Sequence, residues 1–224
     1  MGIDSFFNKI MVINLDESTD RWKDMVIELE NANIKNYERI PGIKLKTLDG
    51  IPKEHYGNLD SWQKVNEFYK KGIIGANTSH INAIRLAKER KYDNVLILED
   101  DVGIRSDANE ILEKTISQLN GIKWDILYLG GGNQSKENMV FVTENFIKAQ
   151  NLLSAHAYAV NAGIYDKIIN DALNHGSELD VFYRDEIQKN YNCLCINPKL
   201  IWQKNGYSIT LQGFRDMETH TKEG

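Results

Sequence analysis

The sequence has little of what staples or interrupts a small fold: two cysteines, Cys193 and Cys195, and three prolines in 224 residues. Cysteines one residue apart enclose too short a loop for an ordinary disulfide. They also lack the second pair that a structural zinc site needs. They are expected as reduced strand residues, and such sparse cysteine fits a reducing compartment. Scarce proline, with 16 glycines in no fixed period, excludes collagen-like and proline-rich linker classes. No apolar run approaches the roughly 20 residues of a membrane span. The opening MGIDSFFNKIMVINLDE lacks a basic region followed by a long apolar stretch, so it does not read as a secretory leader. Phe6 stands where a myristoylation signal wants Ser or Thr. Positive charge is also short. Lys plus Arg number 27 against 32 Asp plus Glu, a net charge of −5, which makes nucleic acid a poor electrostatic partner. The expectation is a cytoplasmic protein without a transmembrane segment, for which weak peripheral attachment to a membrane stays open.

What is present is ordinary globular material, 42% hydrophobic and 26% charged. The length suits one domain over 1–224, with about 1–9 and 213–224 expected to be mobile ends. Residues 9–15 (KIMVINL) are short, apolar and β-branched, a buried-strand signal. Trp22, Met25, Val26 and Leu29 then fall on one helical face. Residues 32–60 are less regular and hold the turn pairs Pro41-Gly42 and Asp49-Gly50. A second helix is expected after Gly72–Gly75, with Thr78 or Ser79 as its N-cap. A third is expected over 107–119, with Asp107 and Glu110 at capping-box spacing. Strands are expected at 94–98, 125–129, 156–160 and 193–197, a helix at 162–173, and a hairpin or loop near 139–150. Alternating strands and helices indicate an α/β sandwich with a mainly parallel sheet. Gly130-Gly131-Gly132 reads as a flexible turn after a strand.

The sharpest local feature is LILEDD, a buried strand that runs into Glu99-Asp100-Asp101. In open α/β sheets, ligands bind beyond the carboxyl ends of the strands. Three adjacent carboxylates raise one another's pKa unless a cation neutralises them. Mg²⁺ and Mn²⁺ take oxygen ligands and commonly bridge a carboxylate to substrate phosphates. The competing reading is a helix cap, although the next helix signal lies later, at Ser106 or Asp107. No G-x-x-x-x-G-K-[ST] is present, which argues against a P-loop enzyme. Glu99 stands where an aspartyl-nucleophile phosphotransferase would need Asp.

INLDESTDRW, GIIGANTSHINAIRLAKER and VLILEDDV occur in order near the N-terminus and middle of the chain, followed by WDILYLG, HAYAV, ELDVFY and NPKLIWQ with GYS. Together they resemble glycosyltransferase family 25, the lipooligosaccharide and collagen galactosyltransferase group, over roughly residues 10–212. Ala76 departs from the family's usual residue after the glycine, and 133–155 shows no match. The resemblance implies a GT-A fold, Rossmann-like with a mainly parallel central sheet flanked by helices. It implies a nucleotide-diphosphate sugar donor such as a UDP-sugar, a divalent ion (Mn²⁺ or Mg²⁺), and inverting transfer of galactose or glucose. The acceptor would be a saccharide, free or lipid-linked, or a hydroxylysine. Asp101 then ligates the metal, with Glu99 as the second metal residue, and Glu99 or Asp100 contacts the ribose or a metal-bound water.

Asn14, Asp16 and Arg21 follow the first strand, in the loop that surrounds the nucleotide in a GT-A fold. Arg21 can meet base or phosphate, or instead pair with Asp16 or Asp20. Ser79-His80, placed at a helix start, would suit an anionic donor. Inverting transfer needs a carboxylate base near the acceptor hydroxyl. Asp180 is the first candidate, with Asp185 and Glu186 as rivals. His156 is a further metal or sugar contact, and His220 could close over the donor. Two other functions compete: an inactive GT-A domain that only binds nucleotide sugar or glycan, and a metal-dependent phosphohydrolase using the same triad.

Overall fold

The structure is a computed structural model, and it describes residues 2–61, 65–132, 139–208 and 213–217. His220 lies outside the described residues. After a short helix, α1 (Ile3–Phe6), the first strand β1 (Lys9–Asn14) leads into α2 (Thr19–Asn31), as the apolar spacing predicts. The irregular stretch that follows contributes a strand, β2 (Tyr37–Pro41), ahead of the long helix α3 (Glu67–Glu89). Next come β3 (Asn94–Glu99), β4 (Val102–Ile104), α4 (Ala108–Thr115) and β5 (Ile126–Tyr128). The second half supplies β6 (Phe146–Lys148), β7 (Ala157–Asn161), α5 (Tyr165–Asp171), α6 (Leu179–Phe182), β8 (Cys193–Ile196) and β9 (Ile201–Gln203). Gly206–Ser208 pairs with Gly213–Arg215 as a small antiparallel hairpin.

Seven strands form one sheet in the order β2-β1-β3-β7-β5-β8-β6. The pairs β1–β2, β1–β3 and β5–β8 are parallel, while β7 runs against both β3 and β5, and β6 against β8. All but β7 and β6 therefore point the same way, and the sheet is mainly parallel, α/β and Rossmann-like. Alternating side chains serve two cores. Ile10, Val12, Leu96, Leu98 and Leu127 pack beneath Met25 and Leu29 of α2 and Leu112 of α4. Met11, Val95, Ile97, Tyr128 and Tyr158 pack beneath Ile81 and Ile84 of α3, Ile168 of α5 and Phe182 of α6. Among the described residues no helix is long and apolar enough to cross a membrane. Cys193 and Cys195 are free and buried on one face of β8.

Four local expectations are corrected. Thr78 and Ser79 do not start a helix: α3 begins eleven residues before Thr78, at Glu67, where Asn66 accepts from the Tyr69 N–H as N-cap. Gly75 lies inside that helix because its backbone packs against the Ile43 carbonyl, which a Cβ would strike. The capping box at Asp107 does not form, because the Asp107 carboxylate is held by Arg105 at 2.8 Å through both oxygens. Gly130 and Gly131 are close-packing positions rather than a flexible turn. A Cβ on Gly130 would meet the Ile201 carbonyl and His156, and one on Gly131 would meet Leu152.

Candidate active site

The parallel register sets Ile13 beside Glu99, so β1 and β3 end together and Asn14 faces the carboxylates that follow Glu99. Asn14 is buried. Its amide donates to Asp100 Oδ2 (2.5 Å) and to the Ser18 carbonyl (3.1 Å), and its Oδ1 accepts from Arg39 Nε (2.7 Å). Arg39 in turn holds Asp16 at 2.8 Å. Asp16 is exposed and braces the loop through Arg39, one step removed from the triad.

Arg21, in the first turn of α2, pairs with neither Asp16 nor Asp20. Its guanidinium bridges Asp100 and Asp101, the latter at 2.8 Å. A residue the sequence placed near the nucleotide thus neutralises two of the three carboxylates. Even so, burial pushes the Asp101 carboxyl up to about 7, helped by the charges of Glu99 and Asp100 against that of Arg21. Asp100 is raised by burial too, with Arg21 and Asn14 opposing. Asp101 Oδ1 is buried and makes no hydrogen bond among the described residues.

Glu99 behaves differently. Burial would raise it, but the hydrogen bond and charge of His80, with His156 and Arg21 behind, hold it below the usual carboxylate range. His80 Nε2 lies 3.2 Å from Glu99 Oε1. Gln203 Nε2 lies 3.4 Å from Glu99 Oε2 and 3.3 Å from Asp101 Oδ2. Sequence reasoning missed Gln203. It arrives because β9 pairs with β4, Val102 opposite Gln203, directly after the triad. A strand signal in NPKLIWQ was the only available hint.

Ser79 and His80 are interior helix residues, which corrects their assignment to a helix N-terminus facing an anionic donor. Ser79 Oγ donates to the Gly75 carbonyl and accepts from the Ile43 N–H, both at 2.7 Å. His80 is 3% exposed and sits beneath Glu99. His156 is 1% exposed, and neither ring nitrogen makes a hydrogen bond among the described residues. Burial drops its pKa to about 4, against the attraction of Glu99.

Asp180 lies in the first turn of α6, partly buried. Its two oxygens accept from the backbone N–H groups of Ser154 and Val181, both at 2.9 Å. Burial raises its pKa, with the charges of Glu178 and Glu99 adding to the shift. Asp185 is instead ion-paired to Arg184 at 2.8 Å, which holds its carboxyl low.

The residues present fit a divalent cation at Asp101: a buried carboxylate oxygen without a partner, of raised pKa, among hard oxygen donors. Among the described residues no three His, Cys, Asp or Glu side chains converge as a ready-made cage. A cation here would need oxygens from the ligand as well.

The mainly parallel α/β sheet, with an acidic, Arg21-bridged cluster where β1 and β3 end, defines a Rossmann-like domain whose candidate site lies at the carboxyl edge of its sheet. Residues 7–223 match the family model described as "Glycosyltransferase family 25 (LPS biosynthesis protein)", and the chain belongs to that family. The protein R655 of Acanthamoeba polyphaga mimivirus, which carries a provisional glycosyltransferase name, is 29% identical over 112 residues. That match covers 50% of this chain and 34% of the relative, so the chain spans about a third of the length of the curated relative it matches. Among solved structures, A197 from STIV is 10% identical, with a TM-score of 0.46 and coverage of 92% of this chain and 91% of that one. A glycosyltransferase involved in glycosylation of the PBCV-1 major capsid is 11% identical, with a TM-score of 0.44 and coverage of 85% and 81%. A UDP-glucose pyrophosphorylase complexed with UDP-glucose is 9% identical, with a TM-score of 0.49 and coverage of 85% and 90%.

Proposed function

We propose that this chain is a metal-dependent, inverting hexosyltransferase. It would move galactose or glucose from a nucleotide-diphosphate donor, a UDP-sugar, to a hydroxyl of a saccharide, a lipid-linked saccharide or a hydroxylysine. The observation that carries the reading is the Asp100–Asp101 pair, bridged by Arg21 at the carboxyl ends of β1 and β3, in a family 25 chain.

In this reading Asp101 would hold the Mn²⁺ or Mg²⁺, which would supply positive charge for the leaving diphosphate. Arg21 turns from the carboxylates to the donor's phosphates, a charge-assisted contact that a guanidinium makes well. Asn14 and Arg39, with Asp16, hold the loop after β1 in shape. Glu99 meets the donor ribose or a metal-bound water. Asp180 takes the proton of the acceptor hydroxyl while that oxygen attacks the anomeric carbon. The bond from that carbon to the diphosphate breaks on the opposite face, so the configuration inverts. Its raised pKa favours Asp180 as base over Asp185, whose carboxylate is already paired.

Calorimetric titration with UDP-galactose and UDP-glucose, with and without Mn²⁺, tests the site. Wild-type protein is expected to bind a UDP-hexose in a metal-dependent manner. Asp101→Asn keeps the size and removes the charge, and it should weaken that binding on the order of 10²-fold, the scale of several kcal/mol. Unchanged binding would remove Asp101 from the metal site. Donor hydrolysis with no transfer to any acceptor would favour a phosphohydrolase.

A further inference from the structure

Beneath the carboxylates, buried polar side chains from four separate elements run in one line. Tyr183, after α6, donates its O–H to the Tyr158 hydroxyl on β7 at 3.1 Å. Tyr158 OH lies 3.0 Å from His80 Nδ1 on α3, and His80 Nε2 lies 3.2 Å from Glu99 Oε1 at the end of β3. Tyr158, Tyr183 and His80 are all buried. The directions are mutually consistent. A carboxylate only accepts, so His80 Nε2 carries the proton, and Nδ1 is left to accept from Tyr158. The Tyr158 oxygen in turn accepts from Tyr183. Three donors in series therefore point at one oxygen of Glu99.

The two ends of Glu99 differ. Oε1 faces this buried line, while Oε2 faces Gln203 and, through it, Asp101. We infer that His80, backed by Tyr158 and Tyr183, is a positioning residue for glycosyl transfer: it fixes Glu99 so that Oε2 is presented at a set angle beside Asp101 and the donor. The inference rests on the transferase reading for its kinetic consequence, whereas the hydrogen-bond relay stands on the geometry alone. Supporting groups that orient the residues of a charged site commonly matter by about 10- to 100-fold. Aliphatic packing could fill the same volume but could not orient a carboxylate. A seam of satisfied polar groups costs little once every member is paired.

Two pairs of variants separate positioning from packing. The amide nitrogen of Gln can occupy the place of His Nε2 and donate to Glu99, and the amide oxygen of Asn can occupy the place of Nδ1 and accept from Tyr158. His80→Gln should keep the donor to Glu99 and lose less than about fivefold in kcat. His80→Asn keeps only the Tyr158 side and should lose about 10- to 100-fold in kcat, with donor KM changed little. Tyr158→Phe should cost severalfold in the wild type and nothing further in His80→Gln, where the link is already absent. Equal losses in His80→Gln and His80→Asn, tracking equal drops in melting temperature, would make His80 structural and overturn the inference. Ring ¹⁵N spectra of His80 supply a readout that needs no turnover. The expected result is an Nε2-protonated ring whose shifts move in Glu99→Gln. An Nδ1-protonated ring, or one indifferent to Glu99→Gln, would overturn the relay. A wild-type protein that transfers no sugar would overturn the transferase reading, and these spectra would still decide the relay.

Discussion

The two faces of the sheet are built from the same strands and do different things. The face under α2 and α4 is packed with Ile, Val, Leu, Met and Ala together with Phe7, Trp124 and Phe146, and its buried polar helix residue, Thr115, only bonds back to its own helix at Ile111. The face under α3, α5 and α6 has as large an apolar cluster, but tyrosines, His80 and Gln188 are set into it. Gln188 joins Tyr128 (3.1 Å) to the Leu152 backbone, and Tyr183, Tyr158 and His80 lead to Glu99. A buried polar group without a partner costs about 1–3 kcal/mol, so such a seam is retained only where each member is satisfied. The polar inlay lies under the carboxylates, on the face against which α6, the helix that carries Asp180, packs. On the proposed reading, one face supplies stability and the other orients chemistry.

The largest expected effect tests whether chemistry does reside on the polar side. Asp180→Asn should leave UDP-hexose and Mn²⁺ affinity near normal while turnover falls on the order of 10²–10⁴-fold, as for loss of a general base. Single-turnover kinetics beside calorimetry would show this split. A collapse of the melting temperature would instead make Asp180 a brace for the Ser154 turn, whose backbone has φ of 73° and whose N–H it accepts. Full activity would pass the base role to Asp185 or Glu186.

The reverse split is expected on the other face. Leu29 is fully buried among Met25, Ile10 and Leu98. Leu29→Ala should cost about 2–5 kcal/mol of stability through lost transfer energy and a cavity. Per folded molecule, kcat and KM should stay within about twofold. Urea titration followed by assay well below the unfolding midpoint checks both. A large kinetic defect in a stably folded Leu29→Ala would end the division of labour between the faces.

How much of this was legible in the sequence also divides by face. The apolar spacing of Met25 and Leu29 located α2, and the runs at 9–15 and 94–98 located β1 and β3, because those signals are local. The triad was equally visible, since a strand ending in three carboxylates is a local pattern. The other face was harder. Gly72 and Gly75 look like a helix boundary, but Gly75 is small because α3 rides on the Ile43 carbonyl, a contact made across 32 positions of chain. That misreading put Ser79 and His80 at a helix start and so aimed them at the donor. His80 meets Tyr158 across 78 positions, and Arg21 meets Asp100 across 79, so neither pairing leaves a periodic trace. β2 was missed as well, since Tyr37–Pro41 shows one buried residue, Ile40, rather than an apolar run.

The smallest expected effect concerns the rim where the two faces meet, in the metal-free protein. Burial and the charges of Glu99 and Asp100 carry the folded-state Asp101 to about 7 against an ordinary 3.8, with Arg21 opposing. Its contribution to stability is present below pH 3.8 and is lost as pH rises through about 7, because the folded state then holds a proton the unfolded state has released. His156 works the other way. Burial takes it to about 4 from 6.5, with Glu99 and the Ile201 carbonyl favouring the proton and Lys199 opposing it. Its contribution is present above pH 6.5 and is lost as pH falls towards 4. The two slopes oppose each other between about pH 4 and 6.5, so the wild-type curve alone cannot apportion them, and the variant difference can. Asp101→Asn removes only the first. Its melting temperature minus that of the wild type should grow as pH rises from about 4 to 7 and then level off, at about 2–4 °C for each kcal/mol in a chain of this size. Saturating Mn²⁺ and UDP-hexose should reverse the sign, because the ligands then stabilise the wild type and not the variant. A difference that stays flat across pH would show that Arg21 alone already neutralises Asp101. The cation site would then have to be sought elsewhere along the carboxyl edge of the sheet.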